Sequence, residues 1–371
     1  DFLVERTDFN QNLKVEILNA TKDEVLQDFE DAPDITQSGL YRHIYTEEYG
    51  QFGGEPYGVV LGDYEFTPKG PDVKLLEKMA SLAAMTHAPF ISNAGHDFFN
   101  IDDYDDLPRL KELASVFEGG QYQKWRNLRD SDDSRNVGLC MPRFMLRTGY
   151  GEDLAVRSFE YNEEINSKAE YLWGRASYGY GTRLADSFAA YRWCPNIIGP
   201  QAGGAVDDLD IAYEDIDGKE VIVGPVETTI SDRKEYELAE LGFIPLTLRK
   251  GSDHAVFFSS NSIQRPKFFG TDEDGKRAEL NYRLGTQLPY LFIVTRLAHY
   301  IKVLQRENLG SWKTRADLEG ELNKWLRQYV ADQENPSPST RSQRPLRKAE
   351  LTVLEVDGEI GWYQVTLNVT P

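Results

Sequence analysis

Cysteine is nearly absent from this sequence. The 371 residues include only two cysteines, Cys140 and Cys194. Two cysteines cannot form the disulfide framework of a secreted scaffold, and the sequence contains no CxxC pair for zinc. Cys140 lies in an apolar segment, and Cys194 stands between Trp193 and Pro195, so we expect both thiols to be buried and unreactive. These features indicate a reducing compartment.

Long hydrophobic runs are also lacking. The most apolar segment, Leu288–Leu304, is interrupted by Arg296, His299 and Lys302, whereas a membrane-spanning helix needs about 18 or more consecutive apolar residues. We therefore expect a buried helix here and a protein that is not embedded in a membrane. No signal peptide is visible, and the sequence begins at Asp1 and not at Met, so we expect a cytoplasmic protein whose true N-terminus lies outside this sequence.

Positive charge is scarce. The sequence has 41 Lys and Arg against 61 Asp and Glu, a net charge of −20. This balance argues against nucleic-acid binding, because Lys and Arg that neutralise phosphates supply most of that affinity. The window from Ser311 to Lys348 is an exception, with eight basic and five acidic residues. Two interpretations remain open: a docking face for a negatively charged partner, or an ordinary solvated helix face.

Recognisable catalytic and cofactor motifs are missing. The five histidines form no HExxH pair, and there is no GxSxG elbow. The stretch Gly199–Gly204 contains Pro200 and lacks the Lys-Ser/Thr pair of a phosphate loop, so we expect a backbone turn. The acidic clusters Asp102–Asp106 and Asp130–Asp133 lack the glycine and terminal glutamate of a calcium loop. We therefore predict no catalytic, cofactor-binding or metal-binding residues.

One pair of residues keeps an enzymatic alternative open. His96 and Asp97 follow the predicted strand His87–Ser92, at the strand end where open α/β sheets bind ligands. A hydrolase or a ligand-binding α/β enzyme would use this pair together with nearby carboxylates. The other interpretation is a loop histidine that binds backbone groups.

Apolar and aromatic residues, at 40% and 12%, are sufficient for a sizeable core. Alternating and continuous apolar runs predict strands at Leu13–Leu18, Tyr57–Asp63, His87–Ser92, Val137–Phe144 and on both sides of a turn at 251–253. Helical patterns are predicted at Lys22–Glu30, Pro71–Met85, Leu107–Phe117, Ala169–Trp193, from Ser231 to Gly242, at Leu288–Gln305 and from Thr314. The strand-helix-strand order favours parallel pairing, so we predict an α/β (α+β) fold.

The helix beginning near Thr314 is amphipathic. One stripe is apolar, and the opposite face is charged. The stripe consists of Leu318, Leu322, Trp325, Leu326 and Tyr329, and the charged face consists of Arg315, Glu319, Lys324 and Arg327.

The C-terminal region predicts a hairpin behind a linker. The segment Glu334–Gln343 is rich in Pro and Ser, which predicts an unpacked linker. The segment Leu351–Val369 alternates around Asp357-Gly358, a typical hairpin turn. Its last strand has no obvious partner, and an unpaired strand edge tends to recruit another strand. Exchange between copies and pairing with Leu13–Leu18 stay equally open.

Several long phrases in a fixed order resemble a known family. They are GLYRHIYTEEYGQFGGEPYG (Gly39–Gly58), HAPFISNAG (His87–Gly95), YRWCPNIIGPQAGGAV (Tyr191–Val206), SDRKEYELAELGFIPL (Ser231–Leu246), ELNYRLGTQLPYLFIVTRLAHYIKVLQRE (Glu279–Glu307) and LNKWLRQYVADQENPS (Leu322–Ser337). These phrases resemble the large sheath subunit of the bacterial type VI secretion system, the TssC/VipB family. The resemblance runs over essentially the whole chain.

The resemblance implies a contractile tail sheath-like fold and a structural, non-enzymatic function. An α/β middle lobe at 51–278 would be inserted between inner-domain parts at 1–50 and 279–371, and the family's chain extends past both ends of this one. The implied partners are a small sheath subunit (TssB/VipA-like) in a heterodimer, other copies in a helical sheath, the Hcp tube inside it and the baseplate. A ClpV-type ATPase would act mainly through the small subunit, so no cofactor is expected on this chain.

The resemblance carries over to two regions residue by residue. The helix containing Lys324 and Arg327 resembles the segment near the inner surface, which implies that these two residues face the tube. The hairpin resembles the inner-layer strands that pair between protomers. The strand-exchange residues it implies are Leu351, Val353, Tyr363, Val365, Leu367 and Val369.

Overall fold

The computed structural model describes residues 13–151, 158–216, 219–249, 253–308, 313–331, 336–356 and 362–370, together with residues 310, 333 and 358. The strands are β1 Val60–Phe66, β2 Phe90–Ala94, β3 Val137–Met141, β4 Phe144–Arg147, β5 Leu172–Gly174, β6 Ala205–Val206, β7 Ala212–Ile216, β8 Lys219–Val223, β9 Phe243–Leu248, β10 Ala255–Phe257, β11 Lys348–Glu355 and β12 Tyr363–Thr370.

The helices of six residues or more are α1 Lys22–Asp31, α2 Gly70–Thr86, α3 Gln123–Asp130, α4 Ala176–Tyr191, α5 Asp232–Glu240, α6 Glu273–Gly285, α7 Leu288–Glu307, α8 Arg315–Leu326 and α9 Pro338–Gln343. Shorter α- and π-helical segments lie at Gly39–Tyr41, Arg42–Thr46, Glu47–Tyr49 and Leu113–Val116. Turns of 3₁₀ helix lie at Ile35–Gln37, His96–Phe99, Tyr104–Arg109, Gly120–Tyr122, Asp133–Asn136, Lys168–Glu170 and Arg327–Tyr329.

A six-stranded sheet organises the first two thirds of the chain. Its order is β1-β2-β3-β9-β10-β6. The first four strands are parallel, and β10 and β6 continue the sheet antiparallel. The short pairs β4-β5 and β7-β8 lie outside it. The mixed α/β fold predicted from the sequence is therefore confirmed.

Both faces of this sheet are covered, which explains its continuous apolar strands. Successive residues in one strand enter opposite cores. In β3, Leu139 packs in a core with α1, α2 and α3, while Cys140 packs with α4 and the start of α7. In β9, Phe243 packs in the core that contains Leu139, and Ile244 packs in the core that contains Cys140. The sheet is thus the middle layer of a three-layer structure.

Helix starts follow the capping residues in the sequence. The Thr21 hydroxyl accepts from the Glu24 N–H at 3.2 Å, and the Glu24 carboxylate accepts from the Thr21 N–H at 2.7 Å, so a capping box opens α1. Ser231 caps α5, and Thr314 with Asp317 makes a second capping box at α8. The helices expected to begin at these residues are confirmed.

The predicted strand at Leu13–Leu18 is wrong. These residues have no regular secondary structure, and Ile17 is 87% exposed. No strand of the described part of the chain pairs with this segment, and without a partner an extended segment cannot satisfy a ladder of hydrogen bonds. The possibility that the C-terminal hairpin pairs with this segment is therefore excluded.

Proline and local packing change several other boundaries. The helix predicted at Leu107–Phe117 is instead the 3₁₀ turn Tyr104–Arg109, which contains Pro108, and the short helix Leu113–Val116. The strand Val137–Phe144 divides at Pro142 into β3 and β4, since proline cannot donate to a ladder. The helix predicted from Ala169 begins only at Ala176, because the preceding residues form β5.

The predicted linker is partly folded. Residues 334 and 335 lie outside the described residues, but α9 occupies Pro338–Gln343 and is capped by Ser337. Ser342 is buried, and the Asn196 amide donates to its hydroxyl at 2.6 Å. Proline at the first helical position and serine at the cap favour a helix start, which explains the error.

A third core lies in the C-terminal region. One end of α7 reaches the sheet through Leu288 and Phe292, and the rest of the helix packs against α8 and the hairpin β11-β12. The fully buried members of this third core are Trp193, Ile293, Leu297, Ile301, Leu322, Leu326, Leu346, Leu351 and Val353. We call the part of the chain from α7 to β12 the hairpin region.

Candidate functional site

The C-terminal hairpin forms as predicted. Strands β11 and β12 pair antiparallel over eight residue pairs, from Lys348 opposite Thr370 to Glu355 opposite Tyr363. Residue 357 of the turn lies outside the described residues, and Gly358 has a φ of +86°, which favours glycine. The hairpin is therefore set in one register.

One face of the hairpin is apolar. Leu351 and Val353 are each 1% exposed and lie opposite Leu367 and Val365 in the register. The β12 residues of this face are only half-buried, whereas the residues between them are polar and exposed. The half-buried β12 residues are Tyr363, Val365, Leu367 and Val369. Coverage of the apolar face is complete over β11 and incomplete over β12.

Side chains of α8 close the outer edge of β11. The Asn323 amide donates to the Leu351 carbonyl at 2.7 Å and accepts from the Leu351 N–H at 3.0 Å. The Val353 N–H donates to the Glu319 carboxylate at 3.0 Å, and Arg315 donates to the Val353 carbonyl at 3.1 Å. The helix thus supplies the hydrogen bonds that a neighbouring strand would make.

These contacts correct one sequence-based placement. Arg315 and Glu319 were expected on the solvated face of α8 with Lys324 and Arg327, but they bind the strand edge and each other, at 3.1 Å. Nothing in the residue pattern identified Asn323, because its partner lies 28 residues away in sequence. The apolar stripe of α8 is confirmed, with Leu322 and Leu326 buried in the third core.

The outer edge of β12 is open. In an antiparallel pair, opposite residues either exchange hydrogen bonds or both point their backbone groups outward. The backbone N–H and C=O groups of Leu351 and Val353 point away from β12, toward α8. The backbone groups of the opposite residues, Leu367 and Val365, therefore point away from β11, toward the outer edge of β12. Among the described residues, no strand other than β11 pairs with β12. The hairpin therefore has one closed edge and one open edge.

Lys324 and Arg327 lie at the end of α8. Lys324 is in its last turn, and Arg327 begins the following 3₁₀ turn. Both side chains are exposed, and neither makes an ion pair within the described ranges. Exposed, unpaired cations near a helix C-terminus can contact a negatively charged surface without first breaking a salt bridge.

His96 and Asp97 do not assemble a reaction centre. His96 Nδ1 donates to the Ile101 carbonyl at 2.9 Å, and the Asp97 carboxylate pairs with Lys69 at 3.1 Å. The ring is thereby held by a backbone group, as the second interpretation of this pair expected. His96 Nδ1 also lies 3.4 Å from an Asp97 carboxylate oxygen. Beyond that carboxylate, no nucleophile or further base accompanies the ring in the hydrogen bonds and ion pairs of the described residues.

The glycine-rich stretch is a backbone turn. The Gly199 N–H donates to the Phe257 carbonyl at 2.7 Å, and the Gly204 N–H donates to the Gly199 carbonyl at 2.9 Å. A Cβ on Gly204 would lie 2.5 Å from the Gly199 nitrogen and 2.6 Å from the Phe257 oxygen. The N–H groups of Gly199 and Gly204 are thus used within the protein, and the expected turn is confirmed.

Cys140 is buried as expected, whereas residue Cys194 is only half-buried. Burial raises the pKa of the Cys140 thiol, and burial raises that of Cys194 to about 12. Over the described residues, no group of three or more His, Cys, Asp or Glu side chains is arranged to hold a metal ion. A helix long and apolar enough to cross a membrane is likewise not found in the described part of the chain.

Comparisons with known proteins place the whole chain. Residues 1–264 match the family model described as EvpB/VC_A0108, tail sheath N-terminal domain, and residues 277–371 match the EvpB/VC_A0108, tail sheath gpW/gp25-like domain. A curated relative is the type VI secretion system sheath protein TssC1 of Pseudomonas aeruginosa. It is 38% identical over 377 residues, which cover 100% of this chain and 75% of the relative.

Solved structures give more distant likenesses. The anti-feeding prophage baseplate has a chain with a TM-score of 0.46 and 10% identity, covering 96% of this chain and 79% of that one. The anti-feeding prophage helical sheath in its contracted state gives a TM-score of 0.38 and 10% identity, covering 81% of this chain and 63% of that one. The family assignment rests on the sequence matches. This chain belongs to the TssC/VipB family of type VI secretion tail sheath proteins, whose members are structural sheath subunits.

Proposed function

We propose that this chain is the large subunit of a cytoplasmic contractile sheath that surrounds an Hcp tube and propels it by contraction. It works as a heterodimer with a small sheath subunit and stacks with other copies on a baseplate. A ClpV-type ATPase recycles the sheath mainly through the small subunit. The 38% identity to TssC1 supports the sheath assignment, and the hairpin with one closed and one open edge supports a mode of assembly.

In the proposed assembly, protomers join through the open edge of β12. An exposed strand edge presents unpaired N–H and C=O groups in a row, and another strand can pair with them. The half-buried apolar side chains of β12, from Tyr363 to Val369, leave apolar surface that the side chains of an added strand can cover. The closed edge of β11 limits such pairing to one side of the hairpin. The strand that fills the open edge comes from a neighbouring protomer.

Val365→Pro tests strand exchange directly. The Val365 N–H points away from β11, so proline removes a donor of the open edge and leaves the ladder bonds of the hairpin in place. We expect Val365→Pro to form the soluble heterodimer but no sheath, as judged by pelleting and negative-stain microscopy. Val365→Thr keeps the N–H and is the matched control, which should polymerise. Intact sheaths from Val365→Pro refute strand exchange at this edge.

Lys324 and Arg327 are the proposed contacts with the tube. Their exposed charges lie within the basic window from Ser311 to Lys348 of an acidic chain, and opposite charge on the tube attracts them. Reversing both, as Lys324→Glu with Arg327→Glu, should abolish assembly on the tube and release of Hcp into the medium. The matched control reverses two other exposed cations of the same window, Arg344 and Arg347. Normal secretion by the first double variant contradicts this assignment.

A further inference from the structure

An arginine-lined cleft opens on the α/β part of the molecule. Its volume is about 360 Å³. Its walls are α3, the C-terminal end of α5, the segment around Arg265 and the last part of α6. None of these elements belongs to the hairpin region, so the cleft is a separate surface feature.

The cleft is basic on an acidic protein. Four arginines and two glutamates line it, a net charge of +2 against −20 for the whole chain. Glu240 is already paired with Arg283 at 3.2 Å. Arg126 and Arg129 have no carboxylate within 4.0 Å in the described part of the chain. Arg265 is paired with Asp130 at 3.5 Å, so Arg126 and Arg129 are the two cleft arginines that keep charge without a carboxylate partner among the described residues.

Two side chains at the cleft, Arg129 and Trp125, keep a nitrogen without a hydrogen-bond partner among the described residues, and that of Trp125 is buried. Arg129 is 4% exposed; its Nε donates to the Ile263 carbonyl at 2.8 Å and its Nη2 to the Glu240 carbonyl at 3.2 Å, but its Nη1 has no such partner among the described residues. Trp125 is 1% exposed, and within the described ranges its Nε1 has no hydrogen-bond partner. Burial, and then the nearby Arg265, lower the pKa of Arg129 to about 10, so it stays charged at neutral pH.

The side chains select the chemistry of the occupant. A guanidinium binds a carboxylate through two parallel hydrogen bonds. Trp125 adds the unbonded Nε1–H at the cleft, a donor that a carboxylate can accept from. Trp and Arg together are typical of the energetically dominant residues of protein interfaces. A carboxylate-bearing protein segment would bind both the guanidiniums that lack a carboxylate and this indole N–H.

We propose that this cleft is a contact between copies, in which it receives a carboxylate from an acidic segment of a second copy of this chain. The inference rests on the proposed sheath function, since a sheath brings many copies into repeated contact. Each copy carries an excess of exposed carboxylates, for example at Asp102 and Asp103. Attraction between these carboxylates and the basic cleft favours a second copy of this chain over a neutral protein as the occupant of the cleft.

Charge reversal at the rim tests the contact. Arg265 is exposed and makes only a 3.5 Å pair with Asp130, so Arg265→Glu should leave the fold intact. The matched control is Arg277→Glu on α6, which is 72% exposed and outside the cleft. With the small subunit present, we measure the subunit concentration left in the supernatant after sheaths are pelleted. For Arg265→Glu we expect it to rise at least about tenfold at low salt, and for Arg277→Glu to stay within about twofold of the parent.

The two proposals fail in different ways. If neither the parent nor Arg277→Glu forms sheaths, the sheath function fails. If both form sheaths and Arg265→Glu behaves like them, only the cleft contact is overturned.

Photo-crosslinking identifies the occupant. A benzoylphenylalanine at Leu241, a partly exposed lining residue, should crosslink to an acidic segment of another copy in assembled sheaths. Mixing isotopically light and heavy copies separates crosslinks between copies from those within one. Crosslinks within one copy only, crosslinks to the small subunit only, or no crosslinks overturn the proposal.

Discussion

Asn323→Ala tests how the closed edge of β11 is held. The substitution removes the bond from the Asn323 amide to the Leu351 carbonyl and the bond from the Leu351 N–H to the Asn323 oxygen, at 2.7 and 3.0 Å. A hydrogen bond contributes about 0.5–1.5 kcal/mol net, so the edge should lose about 1–3 kcal/mol. Since about 1.4 kcal/mol is a factor of ten, exchange of the Leu351 amide should accelerate roughly 5- to 150-fold.

The assay is amide hydrogen exchange on the heterodimer. The Thr352 amide is an internal reference because it belongs to the ladder with β12 and should accelerate less than that of Leu351. Asn323→Asp keeps an acceptor for the Leu351 N–H but loses the donor, so its effect should be intermediate. Alanine also favours helix over asparagine, which opposes the predicted loss.

A control variant isolates that helix effect. Gly320 lies in the same helix, and a Cβ there would meet nothing within 4 Å. Gly320→Ala should therefore stabilise α8 by about 0.5–1 kcal/mol without accelerating exchange at Leu351. Unchanged exchange of the Leu351 amide in Asn323→Ala would refute the view that α8 substitutes for a strand at this edge.

Two further predictions concern stability. Burial lowers the pKa of His299 to about 3, so the unfolded chain, with a value near 6.5, takes up the proton first as the pH falls. The contribution of His299 to the free energy of unfolding is complete above about pH 6.5 and declines toward pH 3 by up to about 1.4 kcal/mol per pH unit. When urea unfolding is measured at a series of acidic pH values, the free energy of unfolding should therefore fall less steeply in His299→Gln than in the parent. An equal slope in the two proteins would contradict this prediction. Gly242 has a φ of +86°, and a Cβ there would lie 2.9 Å from the Ile263 Cα. Gly242→Ala should cost about 1–3 kcal/mol in thermal or urea unfolding, and wild-type stability would show that the turn relaxes freely.

Local signals explain which elements could be predicted. Thr21, Ser231 and Thr314 are caps whose hydrogen bonds involve residues within one helical turn, so sequence alone located those helix starts. The alternation of β12 and the turn glycine Gly358 likewise gave the hairpin. Each of these signals acts over a few residues.

Long-range contacts explain what could not be predicted. Leu13–Leu18 has the alternation of a strand but pairs with none of the strands that the structure describes, and nothing inside the segment reveals this. The α8 side chains that close β11 depend on packing between elements about 30 residues apart. Arg129 reaches carbonyls more than 100 residues away, so the arginine cleft has no contiguous motif. Such sites exist only once the chain has folded.

The double attachment of α7 has a mechanical consequence. This helix is 20 residues long, about 30 Å at 1.5 Å per residue. Leu288 and Phe292 fix one end in the sheet core, and Leu297 and Ile301 fix the other part in the core beneath the hairpin. Force applied to β12 is therefore transmitted to the central sheet through one continuous helix, α7, and not through a loop. If a strand of a neighbouring protomer pairs with β12, as proposed above, its displacement would be transmitted through α7 to the central sheet of this subunit.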